Sequence, residues 1–174
     1  GVIYFINEML KSKGYELKGK TVIISGSGNV ATYAAVKAKE FGAKVVAMSD
    51  SNGYIYDKDG VDIDAIKQLK QVERKRISEY VKDHPKAEYH VGCKDIWTIK
   101  CDIAIPAATQ NEIDEDSAKK LIANGVFAVG EAANMPCTLE AEKAFQNKKI
   151  LLAPSKAANA GGVATSALEL SQNS

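Results

Sequence analysis

Lys20-Thr21-Val22-Ile23-Ile24-Ser25-Gly26-Ser27-Gly28-Asn29-Val30-Ala31 is the stretch that decides the fold. Its first half is nearly continuous in apolar, β-branched residues, the pattern of a strand buried on both faces of a parallel sheet. Its second half fits G-x-G-x-x-G/A, with Ala31 in the third small position. Gly26 permits a tight strand-to-helix turn, Gly28 lets a pyrophosphate approach the backbone, and Ala31 lets the next helix pack closely on the strand. A helix opening at Asn29 offers N–H groups and the positive end of its dipole to phosphates. The motif alone is weak. Its weight comes from the strand–turn–helix context and from Asp50, an acid at the next strand end, 24 residues beyond Gly26 (50 − 26 = 24).

Reading outward, short β-branched runs alternate with helical patterns, which predicts a Rossmann-like, doubly wound α/β fold: a mainly parallel sheet with helices on both faces. Strands are expected at 20–25, 44–49, 102–106, 126–129 and 150–153, with a hairpin-like stretch at 54–56 and a short strand at 89–91. Helices are expected at 1–13, closed by Gly14, and at 29–41, with Val30, Ala34, Ala38 and Phe41 on one stripe. A charged helix, or two, follows from Asp62 to the His84-Pro85 stop, with Ile63, Ile66, Leu69 and Ile77 inward. Asp114 reads as the N-cap of a helix over 115–123 stopped by Asn124-Gly125, and further helices are expected at 138–147 and 161–172. No repeat or low-complexity tract interrupts the chain. Residues 1–174 read as one dinucleotide-binding domain.

Composition narrows the function. A formal charge of +1 over 174 residues lacks the basic excess of a nucleic-acid binder. No apolar run approaches the roughly 20 residues that span a bilayer. The opening Gly1-Val2-Ile3-Tyr4-Phe5 has neither an initiator Met nor a basic leader segment, so the chain is expected to start inside a longer gene product. Cys93, Cys101 and Cys137 are odd in number, and none stands at Cys-x-x-Cys spacing, so the reading is free thiols in a reducing compartment such as the cytoplasm, with no metal. The choice of dinucleotide stays open at this level. Asp50 favours NAD, because a carboxylate accepts from a ribose 2′-OH and repels a 2′-phosphate. Ser49 and Ser51 offer hydroxyls beside it, and Lys70, Arg74, Lys75 and Arg76 in the next helical region are cations able to neutralise that phosphate.

Three further segments each follow an expected strand at its carboxyl end, where doubly wound sheets bind ligands. They are Pro106-Ala107-Ala108-Thr109-Gln110-Asn111, Glu131-Ala132-Ala133-Asn134-Met135-Pro136, and the stretch from Ala153-Pro154-Ser155-Lys156 through Asn159-Ala160-Gly161-Gly162-Val163. Together with Gly-Ser-Gly-Asn-Val-Ala they resemble the hexameric glutamate dehydrogenases, along essentially the whole chain. The resemblance implies that Gly26, Ser27, Gly28, Asn29 and Val30 hold the pyrophosphate, and Asp50 and Ser51 the adenosine ribose. It further implies Thr109 and Gln110 at the nicotinamide ribose, Asn134 near the nicotinamide, and Val163 and Ser166 on the substrate side chain and its distal carboxylate. Lys70 falls near the family's phosphate-binding lysine, and the Gly-Ser-Gly variant looks like the form of NADP-using members; both favour NADP over NAD.

The family's catalytic lysine and aspartate stand in an N-terminal domain, so no catalytic residue is expected in 1–174 and the fragment alone is expected to be inactive. The resemblance then implies reversible conversion of glutamate to 2-oxoglutarate and ammonia by a longer homohexameric parent. Two alternatives stand beside it. A branched-chain or aromatic amino-acid dehydrogenase would share the sheet but is expected to lack the serine at 166. A non-catalytic dinucleotide-binding regulatory module would lack the lysine-bearing domain.

Overall fold

The computed structural model describes residues 2–154. Seven strands form one sheet among these residues: β1 (Thr21–Ile24), β2 (Lys44–Ser49), β3 (Gly53–Tyr56), β4 (Glu88–Val91), β5 (Ile103–Ile105), β6 (Ala128–Gly130) and β7 (Leu151–Ala153), in the order β4-β3-β2-β1-β5-β6-β7. β2, β1, β5, β6 and β7 run parallel, while β3 and β4 extend one edge antiparallel. The sequence runs from β1 to β2 on one side and returns at β5 on the other. That reversal makes β1/β5 the switch point, where the carboxyl ends leave a crevice.

Alternation along the strands builds two cores. Val22, Ile24, Val45, Met48, Ile103 and Ile105 face one layer, which α1 (Val2–Ser12), α2 (Asn29–Glu40) and α3 (Ile63–Lys67) cover. Ile23, Val46, Ala47, Ala104 and Val129 face the other, with α5 (Glu115–Ala123), α6 (Leu139–Asn147) and the 3₁₀ turn Cys93–Thr98. Val46 and Ala47 share a face because the β1–β2 register slips between Val22 and Ile23, inserting one residue into β2.

Helix starts follow side-chain chemistry. Asp62, Asp114 and Thr138 accept from Ala65, Ser117 and Ala141 N–H and so cap α3, α5 and α6. Gly14, at φ +81°, lies just beyond the end of α1, as expected.

The charged stretch after Asp62, expected as one helix or two, forms two helical segments. α3 passes into a π-helical turn, Gln68–Val72, then breaks at Arg74 (φ +56°), before the 3₁₀ turn Ile77–Glu79 and α4 (Tyr80–Asp83). In α2 the buried side is Ala31, Thr32, Ala34, Ala35 and Ala38, and Val30 is 54% exposed, so Val30 leaves the buried stripe. The helix expected over 161–172 lies outside the described residues.

Candidate functional site

Elementary turn chemistry builds the cleft at the switch point. Gly26 has φ +87°, and a Cβ there would stand 3.1 Å from the Ala107 carbonyl oxygen and 3.3 Å from the Ala108 Cα. Only glycine satisfies both the backbone and the neighbouring loop. Ser49, at the end of β2, accepts from the Gly26 N–H through its hydroxyl at 2.8 Å, tying β2 to the turn in a buried position. Ser49→Ala leaves that N–H without its partner, and we expect a loss of about 1–2 kcal/mol in urea unfolding; a midpoint equal to the parent's would show that the turn does not depend on this bond.

Gly28 is different. Its φ of −79° and ψ of −165° are open to any residue, and a Cβ added there meets nothing within 4 Å. Nothing in the described protein requires glycine at this position. Gly28 is also the N-cap of α2, and α2 has neither a side-chain cap nor an acid in its first turn, unlike α3, α5 and α6. An α-helix start that lacks such a partner offers donors and a partial positive charge to an anion.

Gly26, Gly28, Asn29, Val30, Ser49, Asp50, Ser51, Ala107, Ala108, Thr109, Asn111 and Glu112 line one cleft of about 580 Å³. The structure thus brings together seven of the residues singled out from the sequence: Gly26, Gly28, Asn29, Val30, Asp50, Ser51 and Thr109. Ser27 is buried beneath the turn, 4% exposed. Gln110 is exposed on the loop after β5, and Asn134 is exposed on the loop after β6; neither lines the cleft. Those loops are stitched by Ala132 and Ala133 N–H donating to the Pro106 carbonyl, and Asn111 N–H to that of Met135. Val163 and Ser166 lie outside the described residues.

At the β2 end the Asp50 carboxylate points into the protein. Oδ1 accepts from Asn52 and Gly53 N–H at 2.9 and 3.2 Å, and Oδ2 from Ile77 N–H at 2.9 Å, with Lys70 Nζ 3.6 Å away. Burial acts to raise its pKa, but those N–H groups and the lysine outweigh it, so it lies below the ordinary aspartate value. An acid whose lone pairs are engaged in this way is not presented to a ribose as a free acceptor. Arg76 Nη2 donates to the Ser51 hydroxyl at 3.1 Å. The pairing of Asp50 with Lys70 leaves the Arg76 charge as the local surplus, so this corner favours an anion.

The sequence reading missed Glu112, Cys93, Lys94 and Trp97, which also line the cleft. The last three belong to the 3₁₀ turn after β4, and Lys94 is anchored by an ion pair with Asp114. That pairing and the Ser117 N–H lower Asp114 to about 2. Nothing in Cys-Lys-Asp-Ile-Trp-Thr marks it as a cleft wall; only the β3–β4 pairing carries it there. Cys101 and Cys137 are buried free thiols whose pKa values burial pushes up. A second hollow of about 510 Å³ lies between α1 and α2, with chiefly aliphatic and aromatic walls such as Val2, Tyr4, Val30, Tyr33 and Phe41.

Sheet order, glycine turn and cleft define a doubly wound α/β domain with an open crevice at its switch point. The family model for Glutamate/Leucine/Phenylalanine/Valine dehydrogenase matches residues 1–174, and the chain belongs to that family. The chain is 56% identical to a glutamate dehydrogenase of Bacteroides thetaiotaomicron and 56% identical to an NAD(P)-specific one of Xylanibacter ruminicola, in each case over all of this chain and 39% of the relative. Other relatives are named NAD-specific or NADP-specific. A crystal structure of Plasmodium falciparum glutamate dehydrogenase superposes with a TM-score of 0.87 at 44% identity, covering 99% of this chain and 37% of that one. The chain therefore spans about two-fifths of the length of the relatives it matches.

Proposed function

We propose that this chain is the dinucleotide-binding domain of a glutamate dehydrogenase, taking NADP in preference to NAD, within a longer protein that interconverts glutamate with 2-oxoglutarate and ammonia. One observation carries the reading of the site. Gly28 heads an α2 without a side-chain cap, with open space where its side chain would be, so this turn suits a pyrophosphate lodged against the backbone. The backbone of Gly26 to Val30 would hold the pyrophosphate. Ser51, Lys70 and Arg76 would hold the adenosine end, and Thr109, with Gln110 and Asn134 on the adjoining loops, the nicotinamide end. When bound, the cofactor supplies a hydride acceptor or donor at its nicotinamide ring. The chain's own part is to fix that ring at the open edge of the crevice, where a second domain can bring glutamate. Val163 and Ser166 are proposed on the substrate side, Ser166 for the distal carboxylate, and assembly as a homohexamer goes with the family.

The test compares two proteins. The full-length protein oxidises glutamate with NADP faster than leucine, read as kcat/KM. Residues 1–174 alone bind the dinucleotide in calorimetry but give no turnover. Preference for leucine would assign a sister activity, and turnover by 1–174 alone would place the catalytic groups in this chain.

A further inference from the structure

Glu112 closes the cleft loop after β5, four residues past Ala108 and three past Thr109. Its Oε2 accepts from both Ala108 and Thr109 N–H at 3.0 Å, and the Ser25 hydroxyl also hydrogen-bonds the carboxylate. Ser25 Oγ in turn accepts from Ala107 N–H at 2.9 Å. Three successive amides of the loop after β5 are thus gathered by one glutamate and one serine, and the serine sits at the end of β1. The same loop lies against Gly26, where a Cβ would crowd Ala107 and Ala108. The two loops that flank the switch point are fastened to each other by this pair.

The carboxylate is held there against its solvation preference. Burial raises the pKa of Glu112 in spite of the hydrogen bonds from Ser25, Thr109 and Ala108. A carboxyl raised in the folded state contributes its stability below the unfolded pKa and loses it as pH rises through the folded value. Ionising Glu112 therefore removes stability rather than adding it.

We propose that Glu112, acting through Ser25 and the Ala107–Thr109 amides, is a positioning residue that sets the wall of the cleft at the nicotinamide end. This rests on the dinucleotide reading of the site. Because the acid-bearing end of β2 lies across the switch point, loosening the β5 loop affects one half of a bound dinucleotide and spares the other.

The experiment measures binding of NADPH and of adenosine 2′,5′-bisphosphate to the full-length protein by calorimetry. Glu112→Ala weakens NADPH by at least about tenfold and adenosine 2′,5′-bisphosphate by less than about twofold. Glu112→Gln, whose amide oxygen can accept from the same two N–H groups, restores NADPH binding to within about threefold and melts no lower than the parent at neutral pH. Should Glu112→Ala fail to fold, Ser25→Ala must show the same split between the two probes. Unchanged NADPH affinity, or equal weakening of both probes, overturns the positioning role. Parent protein that binds neither probe, nor NADH, overturns the dinucleotide reading itself, and the proposal with it.

Discussion

Gly28→Val lowers affinity for NADP and NAD by at least about tenfold, or about 1.4 kcal/mol. The ligand-free protein meanwhile melts no more than about 4 °C below the parent. The two numbers separate because of what surrounds this glycine. Its backbone is extended, a conformation valine adopts readily, and the added side chain meets no protein atom within 4 Å. Only the weak N-cap preference is lost, roughly 1 kcal/mol. The space taken is space a pyrophosphate needs to reach the first amides of α2. Gly26→Ala is the contrasting control. At φ +87° and 3.1 Å from a carbonyl oxygen, that substitution strains the apo protein, so stability and affinity fall together. Differential scanning fluorimetry and calorimetry on the two variants read both effects. Unimpaired binding in Gly28→Val would mean that this turn is not the phosphate site, and unfolding would mean that Gly28 serves the fold.

Sequence periodicity made the parallel core legible because buried strands and amphipathic helices leave patterns that need no tertiary knowledge. Residues 44–49 read as a strand and form one, and Asp114 read as an N-cap and is one. The turn from Gly26 to Ala31 was legible in part for the same reason: Gly26 and the buried Ala31 answer local steric demands, whereas Gly28 answers none among the described residues. Where side chains reach across the chain, the reading failed. Asp50 at a strand end predicts an acid facing a ribose, and only the fold shows its oxygens taken by Asn52, Gly53 and Ile77. That the helical stretch after Asp62 is two segments rather than one follows in part from Ile77 N–H turning toward Asp50, a contact 27 residues distant in sequence. Glu112 carries no local signal, since a glutamate after Gln-Asn reads as a solvated loop residue until Ala108, Thr109 and Ser25 converge on it. An apolar stripe in the sequence places Val30 inward, but the alanine-rich face of α2 is the buried one.

Cofactor choice turns on the corner where those distant contacts meet. The sequence alone sets Asp50 against Lys70, one repelling a 2′-phosphate and the other attracting it; the fold instead pairs them, with 3.6 Å between Nζ and Oδ2 and the carboxylate only 5% exposed. Asp50 thus acts through what it orders. It holds the 50–53 turn and the start of the Ile77 turn, and it steadies Lys70, itself 19% exposed. Asp50→Ala should therefore cost about 2–4 kcal/mol, because it strips acceptors from three backbone N–H groups and leaves the lysine unpartnered. It should weaken both dinucleotides rather than NAD alone. The pH dependence has a definite sign. The pKa of Asp50 is depressed in the folded state, so its contribution is complete above the unfolded value of about 4 and is lost as pH falls through the folded one. Lys70→Ala does the opposite kind of damage. The Asp50 carboxylate keeps its three N–H donors, so stability falls by less than in Asp50→Ala. The corner, however, loses a cation, and the Asp50 charge near any 2′-phosphate is no longer balanced by a lysine. NADP affinity should drop by at least about tenfold, with NAD changed less than about threefold. Calorimetric titration of both cofactors at low and moderate salt reads the ratio, and the NADP effect should shrink as salt screens the charges. A ratio that does not move in Lys70→Ala would reduce Lys70 to a partner of Asp50, leaving Arg76 and Ser51 as the groups to which a phosphate preference must be traced.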